Sequence, residues 1–198
     1  VLVGGAGFIG HNLAIHLKKL GADVYVTDSL QVNNLGEHTK VNSKNNFYLG
    51  FLYQRLELLK KYKIPLHIVD ARDYNLLTTH LNEIKPSIII HLAAVAHATK
   101  ANKDPYSTID HSMRTLENAL DIARGKKIHF IYFSSSMVYG QFSGKAVNEK
   151  TPCNPLGIYG ALKFSGEKLV IAYNQVFDLK YTIVRPSALY GERCVSGR

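Results

Sequence analysis

The 198 residues are 46% hydrophobic and 20% charged, with 15 glycines spread along the chain, a makeup that excludes collagen-like and disordered chains and fits one globular core. Lys and Arg outnumber Asp and Glu by 24 to 15, a net charge of +9, enough to attract anions. The cations are scattered over 18–19, 60–63, 100–103 and 126–127 with no stripe of interleaved aromatics, which favours solvated helix ends over a nucleic-acid surface.

At this length roughly 70% of the unfolded chain's surface is buried on folding, so stability requires neither a disulfide nor a metal, and no metal site is expected. No apolar run approaches the roughly 20 residues that cross a bilayer. No signal peptide is expected before the fold, and the chain is expected in the cytoplasm, without a membrane partner and with Cys153 and Cys194 as reduced thiols.

Short β-branched runs alternate with longer amphipathic stretches, the pattern of βαβ units in a doubly wound parallel α/β sheet with helices on both faces. Strands are predicted at 1–3, 24–27, 66–69, 87–91, 128–133 and 181–185, and helices at 8–20, 46–62, 74–84, 106–124 and 157–177. Gly21 and Gly125 stand where a helix C-terminus wants a left-handed residue. The polar stretch 29–45 reads as a loop. The first strand begins at Val1 and residues 191–198 trail off after the last one, so the chain is expected to be a fragment.

The first strand runs directly into Gly4-Gly5-Ala6-Gly7-Phe8-Ile9-Gly10, a GxxGxxG turn opening a helix. Glycine there lets the backbone turn sharply and approach a pyrophosphate, whose charge meets the free N–H groups and dipole of the helix N-terminus. Asp28 ends the second strand, 18 residues beyond Gly10. A carboxylate at that place can hydrogen-bond both hydroxyls of an adenosine ribose and repels a 2′-phosphate. Together they point to a dinucleotide, NAD rather than NADP.

Asp70-Ala71 follows the third strand and His91-Leu92-Ala93-Ala94 the fourth, at the strand ends where open parallel sheets bind ligands. Asp70 is a candidate partner for the adenine amino group, or else a helix N-cap or turn residue. The small Ala93 and Ala94 let a cofactor lie close to the backbone.

The fifth strand ends in Ser134-Ser135-Ser136-Met137-Val138-Tyr139-Gly140, and 24 residues after Ser135 comes Tyr159-Gly160-Ala161-Leu162-Lys163. Tyrosine and lysine four apart share one helix face. An ammonium beside a phenol favours phenolate, lowering a pKa of about 10 toward a value useful for a general base. A serine hydroxyl at the neighbouring strand end can bind the same substrate oxygen. YxxxK alone fits any amphipathic helix with the tyrosine packed and the lysine solvated; its place after a glycine turn, an acid and a serine cluster narrows the reading.

On these residues, with Arg185-Pro186 and Tyr190-Gly191 further on, the chain resembles the extended short-chain dehydrogenases/reductases, in the branch of NAD-dependent nucleotide-sugar epimerases and dehydratases. The resemblance implies a Rossmann domain over 1–198 and a substrate-binding cap after it. It implies that Ser135 is the catalytic hydroxyl, Tyr159 the acid/base, and Lys163 a ligand of the nicotinamide ribose. The expected cofactor-binding residues are Gly4, Gly7, Phe8, Ile9, Gly10, Asp28, Asp70, Ala71, Leu92, Ala93 and Ala94, with Tyr159 and Lys163. A homodimer paired through the helices from Tyr106 and from Gly157 is also implied.

Departures at four places bear on the reaction and its substrate. Ser136 and Met137 stand where dehydratases of this branch carry Asp-Glu, and neither shuttles a proton at neutral pH. Ser112 and Ala188 replace family asparagines, and Glu192 replaces a common proline, changes that touch substrate contacts rather than fold or cofactor. The expected activity is 4-epimerisation of a nucleotide sugar, a UDP-sugar by preference. The alternatives are a 4,6-dehydratase or reductase of the same family, and a non-catalytic NAD-binding or RNA-binding protein.

Overall fold

The computed structural model describes residues 1–32, 35–38, 46–96, 98–142 and 146–194. Six strands lie in it: β1 (Leu2–Val3), β2 (Val26–Asp28), β3 (Leu66–Ile68), β4 (Ile88–His91), β5 (His129–Phe133) and β6 (Lys180–Val184). All pair in parallel, in the order β3-β2-β1-β4-β5-β6. Parallel neighbours need crossovers long enough for a helix, and the helices are α1 (Phe8–Lys19), α2 (Leu35–His38), α3 (Asn46–Lys61), α4 (Tyr74–Ile84), α5 (Ala98–Lys103), α6 (Pro105–Ile109), α7 (Thr115–Ala123) and α8 (Gly157–Phe177).

Apolar side chains cover both faces of the sheet, as an all-parallel sheet requires. Leu77 and Leu81 of α4, Leu116 and Leu120 of α7 and Val170 of α8 pack with Ile89 and Phe130 on one side. Ala14 and Ile15 of α1 and Leu59 of α3 pack with Leu2, Val26 and Ile90 on the other. This is the Rossmann arrangement. The strand order reverses between β1 and β4, which opens a crevice outside their C-terminal ends.

The predicted strands and helices are all present, with ends displaced by a residue or two, so that Asp28 falls inside β2 as its last residue. Gly21 and Gly125 have φ of +88° and +68° after α1 and α7. Lys18 and Lys19, Lys60 and Lys61, and Lys100 and Lys103 lie in the last turns of α1, α3 and α5, where the helix dipole favours cations.

Two predictions need correction. The 29–45 stretch is not all loop, because α2 forms at Leu35–His38; residues 33–34 and 39–45 of that prediction lie outside the described residues. The 106–124 helix begins at Pro105, where the Asp104 carboxylate accepts from Ser107 N at 3.0 Å, and it is widened by a π turn at Asp110–Arg114. A π turn inserts one residue into the helical repeat, a change that the 3.6-residue pattern does not register. The six-residue α5 is likewise too short to carry a period. Among the described residues no helix is long and apolar enough to cross a membrane, and neither Cys153 nor Cys194 is in a disulfide.

Candidate active site

The three motif glycines of the first turn, Gly4, Gly7 and Gly10, do different things. Gly4 leaves β1 with φ +79°, and a Cβ there would lie 2.5 Å from the Ala93 amide nitrogen, so only glycine fits. A Cβ on Gly10 would run into the backbone of Gly5. Gly7 is the N-cap of α1 and brings no side-chain cap, while a Cβ on it would meet only Gly4 O, at 3.5 Å. Gly4 and Gly10 therefore serve close packing of backbone on backbone, and Gly7 keeps the helix N-terminus open.

Asp28 ties the end of β2 to this turn. Its Oδ2 accepts from Ala6 N at 2.9 Å and its Oδ1 from Leu30 N at 2.8 Å. Burial pushes its carboxyl above the usual range, opposed by these two N–H groups and by the charge of Arg55. Arg55 of α3 is only 1% exposed. Its Nε and Nη2 donate to the Arg193 carbonyl at 3.2 and 2.6 Å, and burial lowers its guanidinium to about 10.

Asp70 makes a 2.6 Å ion pair with Arg72, and that hydrogen-bonded partner holds its carboxyl below the usual range. Arg72 reaches on to Asp110 at 2.8 Å and Gln31 at 3.2 Å. The N-cap of α4 is Asp73, which accepts from Leu76 N. Asp70 is instead a turn residue, accepting from Arg72 N at 3.0 Å.

At the other end, the three serines that look equivalent in the sequence are separated by a 3₁₀ turn at Ser136–Tyr139. Ser135 caps that turn, its Oγ accepting from Met137 N at 3.2 Å. The Ser134 hydroxyl points the other way and donates to Glu167 Oε1 at 2.5 Å. Ser136 is bound through its backbone, N to Pro186 O at 2.9 Å.

Lys163 is buried, its Nζ donating to the Phe133 carbonyl at 2.7 Å and lying 5.1 Å from the Tyr132 ring centre. Burial alone lowers its ammonium to about 8. His91 is buried against the Phe130 ring, 6.0 Å away. Burial, and then the charge of Lys163, push its imidazole down to about 3, so it is neutral.

One cleft of about 420 Å³ runs along these strand ends, and every residue expected at the site lines it: Gly4, Gly7, Phe8, Ile9, Gly10, Asp28, Asp70, Ala71, Leu92, Ala93, Ala94, Ser135, Tyr159 and Lys163. Arg55, Lys100, His111, Thr115 and Ser187 line it as well. Sequence reasoning missed these. Arg55 looks like any charged residue of an amphipathic helix, and His111 and Thr115 come to the cleft around the π turn. Glu167, behind the cleft, left a legible signal that went unused: it stands four residues after Lys163 and eight after Tyr159, on the same face of α8.

A crevice at the switch point of a Rossmann sheet, with a glycine turn and a strand-end acid at one end and serine, tyrosine and lysine at the other, is the arrangement of a dinucleotide-binding α/β domain. The family model for the NAD dependent epimerase/dehydratase family matches residues 1–198, and the chain belongs to that family. It is 28% identical over 186 residues to a UDP-glucose 4-epimerase of Lactobacillus helveticus, covering 93% of this chain and 50% of that one. It is 31% identical over 212 residues to a dTDP-D-glucose 4,6-dehydratase of Dictyostelium discoideum, covering 98% and 44%. The crystal structure of a UDP-glucuronic acid 4-epimerase from Bacillus cereus in complex with NAD is similar at a TM-score of 0.79 and 28% identity, covering 97% of this chain and 56% of that one. The chain spans about half the length of the curated relatives it matches.

Proposed function

We propose that this chain is the NAD-binding part of a nucleotide-sugar 4-epimerase, acting on a UDP-sugar. The observation that carries the reading is that Ser135, Tyr159 and Lys163 line the same cleft as the glycine turn and Asp28. The residues suit the cofactor: the uncapped N-terminus of α1 at Gly7 offers N–H groups to a pyrophosphate, and Asp28 stands where an adenosine ribose would end. Asp70 and Ala71 take the adenine end, and Ala93 and Ala94 leave room along β4. NAD held there would supply the hydride chemistry at sugar C4.

The protein's share is proton transfer and orientation. Tyr159, as phenolate, takes the proton of the sugar 4-hydroxyl as C4 is oxidised and returns it when the ketone is reduced, so the proton count is restored in each cycle. Ser135 donates its hydroxyl to the same sugar oxygen and holds it in place. Lys163, a cation below about pH 8, stabilises negative charge on the phenol oxygen and binds the nicotinamide ribose. Nothing is consumed overall, because C4 loses and regains the same hydride.

Ser136 and Met137 favour epimerisation over dehydration, since neither can serve as the acid or base that elimination across C5 and C6 requires. UDP-glucose and UDP-glucuronic acid 4-epimerases among the relatives support the same choice. Tyr106, Ile109 and Val176, exposed on the helices that begin the π-turn segment and end α8, support a homodimer through those helices.

The test is a panel of UDP-, GDP- and dTDP-hexoses incubated with the full-length protein, with products resolved by NMR. The expected product is an equilibrium mixture of two 4-hydroxyl stereoisomers. A stable 4-keto-6-deoxy sugar would replace this reading with the dehydratase one, which the Dictyostelium relative keeps in view.

A further inference from the structure

Glu167 is 1% exposed on α8 and holds Arg185 by two bonds, Nε to Oε1 at 2.8 Å and Nη2 to Oε2 at 2.7 Å. A buried ion pair adds little net stability over apolar side chains of the same volume. This one lies directly behind the reacting groups. Arg185 follows β6 and donates from Nη1 to the Tyr139 hydroxyl at 2.9 Å, while its guanidinium carbon lies 5.0 Å from the Tyr139 ring centre. Tyr139 ends the 3₁₀ turn that Ser135 begins.

Two adjacent bonds join the end of β5 to two successive turns of α8. Lys163 Nζ donates to Phe133 O at 2.7 Å, and Ser134 Oγ donates to Glu167 Oε1 at 2.5 Å. Tyr159, Lys163 and Glu167, each four residues from the next, form one stripe of the helix facing the strand ends. The strand and the helix are thereby locked in register at two consecutive positions. Glu167 reaches both the strand that carries Ser135 and, through Arg185, the far end of its turn.

We propose that Glu167 and Arg185 are positioning residues: through Ser134 and Tyr139 they set the register of α8 against the end of β5, so that Lys163, Tyr159 and Ser135 meet in one cleft. Neither residue touches the reacting atoms. The inference rests on the reading of those three residues as the reacting groups, and it is tested apart from that reading.

The titration of Lys163, followed by NMR in protein carrying ¹³Cε-labelled lysine, needs neither cofactor nor sugar. The titratable groups near the ammonium are Tyr132 of β5 and His91 of β4, and Tyr159 of its own helix lines the same cleft. The parent should titrate near 8. Ser134→Ala removes one of the two strand-to-helix bonds and leaves the Glu167–Arg185 pair whole, so it should melt within about 4 °C of the parent. Loosened and hydrated, Lys163 should then titrate well above the parent value, toward the about 10.4 of a free lysine. In turnover, Ser134→Ala and Tyr139→Phe should lose roughly tenfold or more in kcat with KM within about threefold.

Glu167→Gln should show a larger shift, and if it fails to fold the two milder variants decide. Folded variants with the parent lysine midpoint and the parent kcat would overturn the inference, as would a lower melting temperature with the midpoint unmoved, which marks the pair as structural only. If the parent epimerises no sugar, the proposed activity falls and the lysine titration still decides this inference.

Discussion

Replacing Gly7 by alanine should separate cofactor binding from folding. At φ −70° and ψ −178° the backbone of Gly7 is open to any residue, and the added Cβ would meet only Gly4 O at 3.5 Å, an ordinary contact. A glycine-to-alanine change at a compatible position is neutral or stabilises by about 0.4–1 kcal/mol through the unfolded chain. Gly7 lines the cleft, so the added methyl group takes up space at the N-terminus of α1, where a pyrophosphate oxygen would approach. Each charge-assisted bond lost there removes about 1.5–3 kcal/mol, so NAD affinity should fall roughly 10- to 150-fold. Calorimetric NAD titration and thermal melting of the same samples read the two effects separately. Gly10→Ala is the control: its Cβ collides with Gly5 backbone, and overpacking of that kind costs about 1–3 kcal/mol of stability. Parent affinity in Gly7→Ala, or loss of its fold, would refute the reasoning.

Asp28 should give NAD a preference over NADP of more than about tenfold, or about 1.4 kcal/mol, and Asp28→Ala should erode it; equal affinities in the parent would place the carboxylate away from the ribose. Tyr159→Phe should lower turnover by roughly 10²–10⁴-fold with NAD affinity little changed; near-native turnover on a confirmed substrate would exclude the tyrosine as acid/base. Burial holds His11 down to about 4 and His91 down to about 3, below the about 6.5 of an unfolded histidine. Between those values the unfolded chain binds the extra protons, so stability should fall as pH drops from about 6.5 toward 4. Denaturant titrations should show that slope, and His91→Phe should make it shallower.

The cofactor end of the site was legible because its signals are local. The glycine turn, the acid closing β2 and the tyrosine and lysine one helical turn apart are spacings within single elements, and all of them line the cleft. What was not legible depends on pairing across the fold. Glu167's place on the Tyr159–Lys163 face is legible from its spacing, but its partners are not: it meets Ser134 across 33 residues and Arg185 across 18, and Arg55 meets Arg193 across 138. The roles of Ser134, Ser135 and Ser136 diverge only because a 3₁₀ turn rotates their side chains apart. Ser112, read as a departure that affects the substrate side, has its hydroxyl turned to Val95 N at 3.3 Å, so it braces the loop after β4. The π turn escaped because one inserted residue barely disturbs an apolar stripe.

The central claim is that Tyr159 and bound NAD oxidise and re-reduce one carbon without exchange with water. Its most direct test is a UDP-hexose deuterated at C4, incubated with the full-length protein and NAD in ordinary water and examined by NMR. The account predicts that the 4-epimer forms and keeps its deuterium at C4, because the hydride leaves and returns within the closed cycle. Protium from water at C4 of the epimer, or no epimer from any UDP-hexose, would contradict it.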